Sequence, residues 1–533
     1  MRPYRLSLTM MILSHVVLAA CAISFVYICK QLVDSAVATF NGKAEVSDMT
    51  QWLFYLVAIV IMRIGINAYR TYIQAKTEAR LKNSLRRNLF DIMLRMQSDG
   101  ARRHHSGDII SRIQEDVRVV SSSFVGSIPN FIGTCLQFAA AATFLIWLDY
   151  RLALAVVVIL PVGLGLGKFI SGRIKKLTLD IRNSDSKVQS HVQESIQHLT
   201  LLQSMEYASA SSGELGELQG ALYSGEIRRT KFSVFSRIFV SLAFQAGYLT
   251  AFMWGVMGIS QGTVTYGMMT AFLQLVGQIQ RPLLEMSSQL PSIIHSTASI
   301  DRIMEIEALP QEPEVSPVLL GAPAGIKLDN VTFAYPDSPR KIFDGFSFDF
   351  APGSRTAIVG PTGIGKSTMI RLLLSLLKPQ GGSIDVYSGD VSEQASSATR
   401  CNLVYVPQGN SLFSGSIRDN LLMGNPDASE EQMKWALHIA AADFVLDMPD
   451  GLDAHCSEGG AGLSEGQAQR IAIARALLRP GSILLLDEFS SALDAETEIV
   501  LMERLTTSIP DHTMIFITHR ERIIDYCTAT LRL

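Results

Sequence analysis

Apolar positions along this chain come in two textures. In the first half they form long runs, near Leu6–Ile28, Trp52–Tyr72, Ile128–Leu148, Leu152–Ser171, Phe232–Gln261 and Tyr266–Leu290. Each run approaches or exceeds the ~20 residues a helix needs to cross hydrocarbon. Six spanning helices are expected, the last two continuing into polar sequence that blurs their ends. Between the runs, Ala79–Met96 and Leu177–Met205 repeat apolar residues at helical spacing among charges and contain no proline. The spacing predicts that the membrane helices extend well beyond the bilayer there. Ala308–Ala324, with Pro310, Pro313, Pro317 and Pro323, reads as a linker. From Gly325 the texture changes to short apolar strands alternating with helices, the pattern of an α/β domain. The expected organisation is an all-α membrane domain over residues 1–307, a linker over 308–324 and an α/β domain over 325–533.

Composition agrees with a membrane half. Of the 533 residues 48% are hydrophobic and only 18% charged, too oily for a soluble α/β enzyme. A net charge of −3 gives nucleic acid no electrostatic footing. Arg2, Arg5 and the Leu18–Cys21 box (LAAC) look like a lipoprotein leader. However, Ala22–Ile28 stays apolar where a cleaved leader turns polar, so a retained spanning helix is expected. The six cysteines show no metal spacing and are expected as free thiols. Loop charge sets the orientation. Lys76, Arg80, Lys82, Arg86, Arg87, Arg95, Arg102 and Arg103 cluster after the second run. Arg173, Lys175, Lys176, Arg182 and Lys187, then Arg228, Arg229 and Lys231, follow the fourth. The opposite loops carry only Lys30 and Lys43, and none over Gly258–Gly267. The positive-inside rule puts both termini, both long loops and the α/β domain in the cytoplasm, with a bacterial inner membrane expected.

The α/β half holds the chemistry. Gly360–Thr368 reads GPTGIGKST and fills every fixed position of G-x-x-x-x-G-K-[ST]. A strand at Arg355–Val359 and a helix at Thr368–Leu377 give it the required setting. The loop of Gly360, Pro361, Thr362, Gly363, Ile364 and Gly365 curls around phosphate, its non-proline residues offering backbone N–H groups, and the helix start adds its dipole. Lys366 reaches the β- and γ-phosphates, Ser367 a Mg²⁺ position, and Thr368 closes the loop. The chain is expected to bind a nucleoside triphosphate. Beyond it, Leu463–Gln467 (LSEGQ) opens a helix at Ala468–Leu478, with Ser464 and Gln467 in a capping-box pattern around Gly466. Ile483–Glu488 is an apolar strand ending in two carboxylates: Asp487 suits Mg²⁺, and Glu488 suits polarising a water. A strand at Thr513–Ile517 ends in Thr518–His519, where a histidine can contact the γ-phosphate. Gln408 follows the strand Leu403–Val406 and can bridge Mg²⁺ and water; Tyr335 can stack on adenine. Each piece alone has a structural reading as well, as core tyrosine, strand end or cap.

In this order and spacing the pieces resemble the ATP-binding cassette (ABC) family across the whole C-terminal half. The resemblance implies ATP and Mg²⁺ as cofactors, with adenine on Tyr335, a phosphate loop at Gly360–Ser367 and a Q-loop at Gln408. It further implies a signature at Leu463–Gln467, carboxylates Asp487 and Glu488, a D-loop at Asp494 and a switch histidine at His519. Six spans ahead of one cassette is similar to the ABC exporters. His105–Val117 resembles the segment around their first coupling helix, and Ala298–Glu305 the end of their sixth span. Departures are His198 and Gln203, where the family often has Gly and Lys, and Glu465, where Gly is commonest. The chain also stops 14 residues after His519, and no peptidase-like domain precedes the first span. The function implied is ATP-driven export, or leaflet translocation, by alternating access. One chain is half of a dimer, expected to be a homodimer; a heterodimer with a paralogous half and an ATP-gated channel are the alternatives. The transported substrate is not implied. Arg63, inside the second span, either meets an anionic headgroup, snorkels or makes an interhelical hydrogen bond, and Arg281 and Glu285 are spaced to pair.

Overall fold

The computed structural model describes residues 4–43, 45–96, 106–336, 338, 340–456 and 462–533, leaving aside the side chains of 106, 155–171 and 287. Arg2, Arg102, Arg103 and His105, and most side chains of the Leu152–Ser171 run, therefore lie outside the described residues. The backbone divides into two compact units, Met1–Phe90 with Ile109–Glu307, and Asp91–Asp108 with Ala308–Leu533.

The first unit is helical: α1 (Arg5–Phe40), α2 (Val46–Leu94), α3 (106–148), α4 (Tyr150–Gln197), α5 (Leu199–Ser204), α6 (Ala208–Ser260) and α7 (Tyr266–Glu307). Among the described residues, α1, α2, α3 and α6 are long and apolar enough to cross a membrane. The α1 helix runs unbroken past Cys21, which is buried, as a retained span requires. The fourth run falls where side chains are not described. The sixth run falls short by composition, and the first half of α7 is covered by other helices. It buries Ala271, Phe272, Leu275, Val276 and Ile279 against α1, α3 and α6. Two of its glutamine amides donate within the bundle, Gln278 to the Ala22 carbonyl (3.4 Å) and Gln280 to the Phe244 carbonyl (3.1 Å). Lipid-type exposure shows instead on α2, which turns Leu53, Phe54, Val57 and Ile61 outward, and on α6, with Leu242, Leu249, Met253 and Val256. A water-facing domain does not tolerate such patches.

Both amphipathic extensions are helical. The α2 helix runs to Leu94, and α4 to Gln197. The second extension then breaks at His198 (φ −109°, ψ 27°), one of the departures named above, before α5 begins. In α3 two five-residue π-helical stretches, Arg112–Asp116 and Ser123–Ser127, interrupt the α-helical ladder. The first is clamped to α7. Ser299 Oγ donates to Asp116 Oδ1 (2.9 Å), and Arg302 lies 3.4 Å from Asp116 Oδ2. Arg112 Nη1 donates to Glu305 Oε2 and to the Arg302 carbonyl, both at 2.8 Å. The two segments likened to exporters thus meet.

The second unit is α/β: β1 (Gly325–Ala334), β2 (Lys341–Phe350), β3 (Arg355–Val359), α8 (Lys366–Leu373), β4 (Gly381–Ser388), β5 (Val391–Gln394), β6 (Leu403–Val406), α9 (Ile417–Leu422), α10 (Glu430–Ile439), α11 (Glu465–Leu477), β7 (Ile483–Asp487), α12 (Ala495–Ser508), β8 (Thr513–Ile517) and β9 (Ala529–Arg532). One large sheet is antiparallel, ordered β2-β1-β4-β5; the other large sheet is parallel, ordered β9-β3-β8-β7-β6; and a short antiparallel pairing joins Gly415–Ser416 to His455–Cys456. Burial on both faces explains why β7 and β8 read as unbroken apolar runs. The helix after the phosphate loop ends at Leu373, four residues short of expectation. There Ser375 turns left-handed (φ 53°), and the N–H groups of Leu376 and Leu377 close on the Arg371 carbonyl.

The proline-bearing segment has no regular structure but is tied down. Fully buried Asn402 accepts from Leu320 N–H (2.7 Å) and donates to the Val318 carbonyl (2.7 Å). Arg400 makes a two-pronged ion pair with Glu312 (2.7 and 2.9 Å). Asn402→Ala should destabilise the α/β unit by about 1–3 kcal/mol for each backbone group left unpaired. The checks are a lower melting transition and faster protease nicking within 308–324; an unchanged nicking rate would show that the strap is held otherwise.

Candidate nucleotide site

Four strand ends of the parallel sheet build the site. At the C-terminal edge, the strand order β6-β7-β8-β3 lines up Gln408, Asp487 with Glu488, His519 and the phosphate loop. Ligands of open parallel sheets bind outside this edge because the loops there splay apart. The backbone after β3 has the shape an anion needs. Gly363 (φ 84°) and Gly365 (φ 125°) lie in the left-handed region, and a Cβ on Gly365 would sit 2.6 Å from Ile342. Gly365 also caps α8 without a side chain, leaving the first-turn N–H groups to a phosphate. The loop therefore fits a triphosphate.

The polar side chains form one chain of contacts. Lys366 Nζ donates to the Gly360 carbonyl (2.7 Å) and lies 2.6 Å from His519 Nε2. His519 Nε2 is 3.6 Å from Glu488 Oε1, whose Oε2 accepts from the Gln408 amide at 2.6 Å. The β7 strand ends at Asp487, one residue earlier than expected, because Glu488 takes φ 44°. Such a conformation costs a non-glycine residue of order 1 kcal/mol and persists where surrounding contacts enforce it. Here Glu488 N–H is held by the Ile517 carbonyl (3.0 Å) and its carbonyl accepts from buried Gln469 (3.3 Å). Burial, reinforced by the neighbouring Glu488 charge, raises the Asp487 carboxyl above its ordinary value.

Tyr335 also reaches the loop. Its hydroxyl is 3.1 Å from Thr368 Oγ1, and its ring packs edge-on to Phe333 at 5.1 Å. Pro361, Thr362, Ile364, Ser367 and Thr368 lie in or directly after the same loop. The hydrogen bonds of Ser464 and Gln467 in the signature run to each other rather than to these side chains. Ser464 caps α11 in a capping box with Gln467, as the spacing predicted, and α11 starts at Glu465 rather than Ala468. Gly466 packs so closely that a Cβ would fall 2.7 Å from the Ala492 carbonyl. Asp494 caps α12, accepting from Thr497 N–H (2.9 Å) and Oγ1 (2.8 Å), which holds its carboxyl below the usual range. Glu465 is exposed, and the Arg470 guanidinium donates to the Ala441 carbonyl (2.7 Å) and lies over Phe444.

Sequence reading missed three supports. Tyr405 donates to Asp487 Oδ2 (3.4 Å), and burial followed by that carboxylate pushes its hydroxyl up to about 12. Its one signal was a polar-tipped residue in an otherwise apolar strand. Gln469 props Glu488, and Arg520 holds the D-loop through the Ser491 carbonyl (3.2 Å) and Glu498 (3.1 Å). Both needed the tertiary fold to be seen.

Asp487 binds its proton more tightly in the folded than in the unfolded protein, so its ionisation costs stability as pH rises. Asp487→Asn should melt higher than wild type at pH 7–8 without nucleotide. The difference should close as pH falls towards the ordinary carboxyl value of 3.8. A variant that melts lower at every pH would overturn this account of the site.

Comparison with known proteins bears on identity at this point. The family model for the ABC transporter transmembrane region matches residues 8–283, and a second model, described as ABC transporter, matches 343–491. A putative multidrug export ATP-binding/permease protein of Bacillus subtilis is 27% identical, the match covering 98% of this chain and 92% of that protein. An ATP-dependent lipid A-core flippase of Pseudomonas fluorescens is 28% identical, over 98% and 88%. The structure of a bacterial Atm1-family ABC exporter with ATP bound shares the fold, with TM-score 0.81, 24% identity and coverage of 99% and 93%. The chain belongs to the ABC transporter family, as a half-transporter of the exporter type whose cassette binds and hydrolyses ATP.

Proposed function

We propose that two copies of this chain form an exporter of the bacterial inner membrane, with both cassettes in the cytoplasm. An ABC exporter couples ATP hydrolysis to moving a substrate across the membrane, or between leaflets, by alternating access. Half-transporters work as dimers; the finer reading is that the partner is a second copy. One observation carries it: Gln408, Glu488, His519 and Lys366 lie in contact on one sheet edge, so each chain holds a full set of hydrolytic residues. The signature, with Ser464, Gly466 and Gln467, is then offered to the nucleotide of the opposing copy. The basic clusters beside α2 and α4 support the cytoplasmic placement.

In this reading the loop N–H groups and Lys366 bind the triphosphate, and Tyr335 meets the adenine. Lys366 exchanges its contact with His519 for phosphate oxygens. Glu488, oriented by Gln408, polarises the attacking water while His519 turns to the γ-phosphate. Ser367, Gln408 and Asp487 offer oxygen donors that suit Mg²⁺. When bound, that ion neutralises charge on the phosphates and offsets the like charges of Asp487 and Glu488. ATP binding closes the cassettes, and the long extensions of α2 and α4 carry closure to the spans.

Glu488→Gln keeps shape and hydrogen bonding but removes the base. ATPase should fall by about 100-fold or more while ATP binding survives. Near-normal turnover would sink the role given to Glu488. The purified chain alone should show magnesium-dependent ATPase in nanodiscs and cross-link to itself through cysteines placed at Ser464 and Gly363. An inactive preparation that revives on adding a second gene product would establish a heterodimer instead.

A further inference from the structure

The membrane unit contains a cavity of about 560 Å³ between α1, α2, α3 and α7, within the usual range of roughly 300–1,000 Å³ for ligand pockets. Its wall is divided in character. Leu18, Ala19, Ala22, Val60 and Ile64 are apolar; His15, Asn67, Asn130, Gln137 and Gln289 are polar; and Arg63 and Arg70 bring positive charge. The arginines are seven residues apart on α2, two helical turns, so about 10 Å separates them along one face.

Neither arginine has an anionic partner among the described residues. Arg70 Nη1 lies 3.2 Å from the His15 ring nitrogens, and Nη2 donates to Asn67 Oδ1 (2.9 Å). Its Nε is buried without a hydrogen bond, as is Gln289 Oε1. Arg63 has the Phe25 ring, 5.7 Å from its guanidinium carbon. Glu285 also lines the cavity, but its carboxylate is bound by Arg281 (3.1 Å). A charge inside a membrane protein ordinarily pairs with its opposite, because desolvation without a partner is costly.

The polar end is fitted into its surroundings. His15 is 8% exposed, and the α3 residue facing it is Gly133, where a Cβ would fall 2.0 Å from the ring. Position 133 is thus emptied to admit the imidazole that supports Arg70. Guanidinium forks match carboxylates and phosphates in geometry.

We propose that this cavity binds the carboxylate or phosphate of a single-chain anionic amphiphile on Arg63 and Arg70, with its apolar chain along Leu18, Ala19, Ala22, Val60 and Ile64. The site rests on the transport reading in taking that amphiphile to be cargo. Arg281 and Glu285, which the sequence marked as a pair, serve to keep the one carboxylate of the wall away from the arginines.

The test uses the full chain in phosphatidylcholine nanodiscs without nucleotide, with radiolabelled oleate as probe. Oleate should bind saturably, and oleyl alcohol of the same chain length should not displace it. Arg63→Gln with Arg70→Gln should raise its Kd tenfold or more, and lysine at both positions should recover most of the loss. A second measurement uses wild type alone, so that a misfolded variant decides nothing. Oleate carrying a diazirine in its chain should cross-link to peptides containing Leu18–Ala22 and Val60–Ile64. Equal displacement by oleyl alcohol or by inorganic phosphate, unchanged affinity in the double variant, or cross-links solely elsewhere would each overturn the proposal. Binding is read without ATP, so its failure leaves the ATPase test of the transport cycle standing, and loss of ATPase leaves this site standing.

Discussion

The order of four parallel strands is the constraint on which the catalytic half depends. Gln408, Glu488, His519 and Lys366 are separated by long stretches of chain, yet they sit at successive ends of β6, β7, β8 and β3. Buried on both faces, these strands cannot slip by one residue without moving every apolar side chain to new neighbours. That rigidity sets distances of 2.6–3.6 Å between groups that must act together. It also enforces the left-handed turn at Glu488, which no local preference supports.

The membrane half solves the opposite problem, since its solvent accepts apolar side chains and rejects unpaired polar ones. Apolar faces of α2 and α6 point outward, while Gln278 and Gln280 of α7 find backbone acceptors inside the bundle. The ion pairs of Arg112, Asp116, Arg302 and Glu305 gather beside a π-helical stretch of α3. Interruptions of that kind release backbone groups and recur at working positions of helices. Arg63 and Arg70 depart from the rule of internal pairing, which is why the cavity they line stands out among the polar features of the spans.

Much of this was legible in order along the chain. Strands at Arg355–Val359, Leu403–Val406 and Thr513–Ile517, and the capping box at Ser464 and Gln467, are local patterns decided by neighbouring residues. Long apolar runs equally declare a membrane helix, because hydrocarbon thickness is a length requirement. The phosphate loop is legible for the same reason: its glycines and lysine act through one short backbone curve.

Other features were settled only by packing. The burial of the first half of α7 is one, since packing among helices permits a composition that lipid would not. The early end of α8 is another, set by a left-handed Ser375 and the Arg371 carbonyl. Asn402 clasping the proline-rich strap, Tyr405 and Gln469 holding the carboxylates, and Gly133 making room for His15 all join residues far apart in sequence. Sequence alone determined which elements form and which chemistry they carry, because propensity, periodicity and capping act over a few residues. Tertiary structure decided which side chains touch, because strand order and helix packing bring distant residues within the few ångströms where hydrogen bonds and charges act.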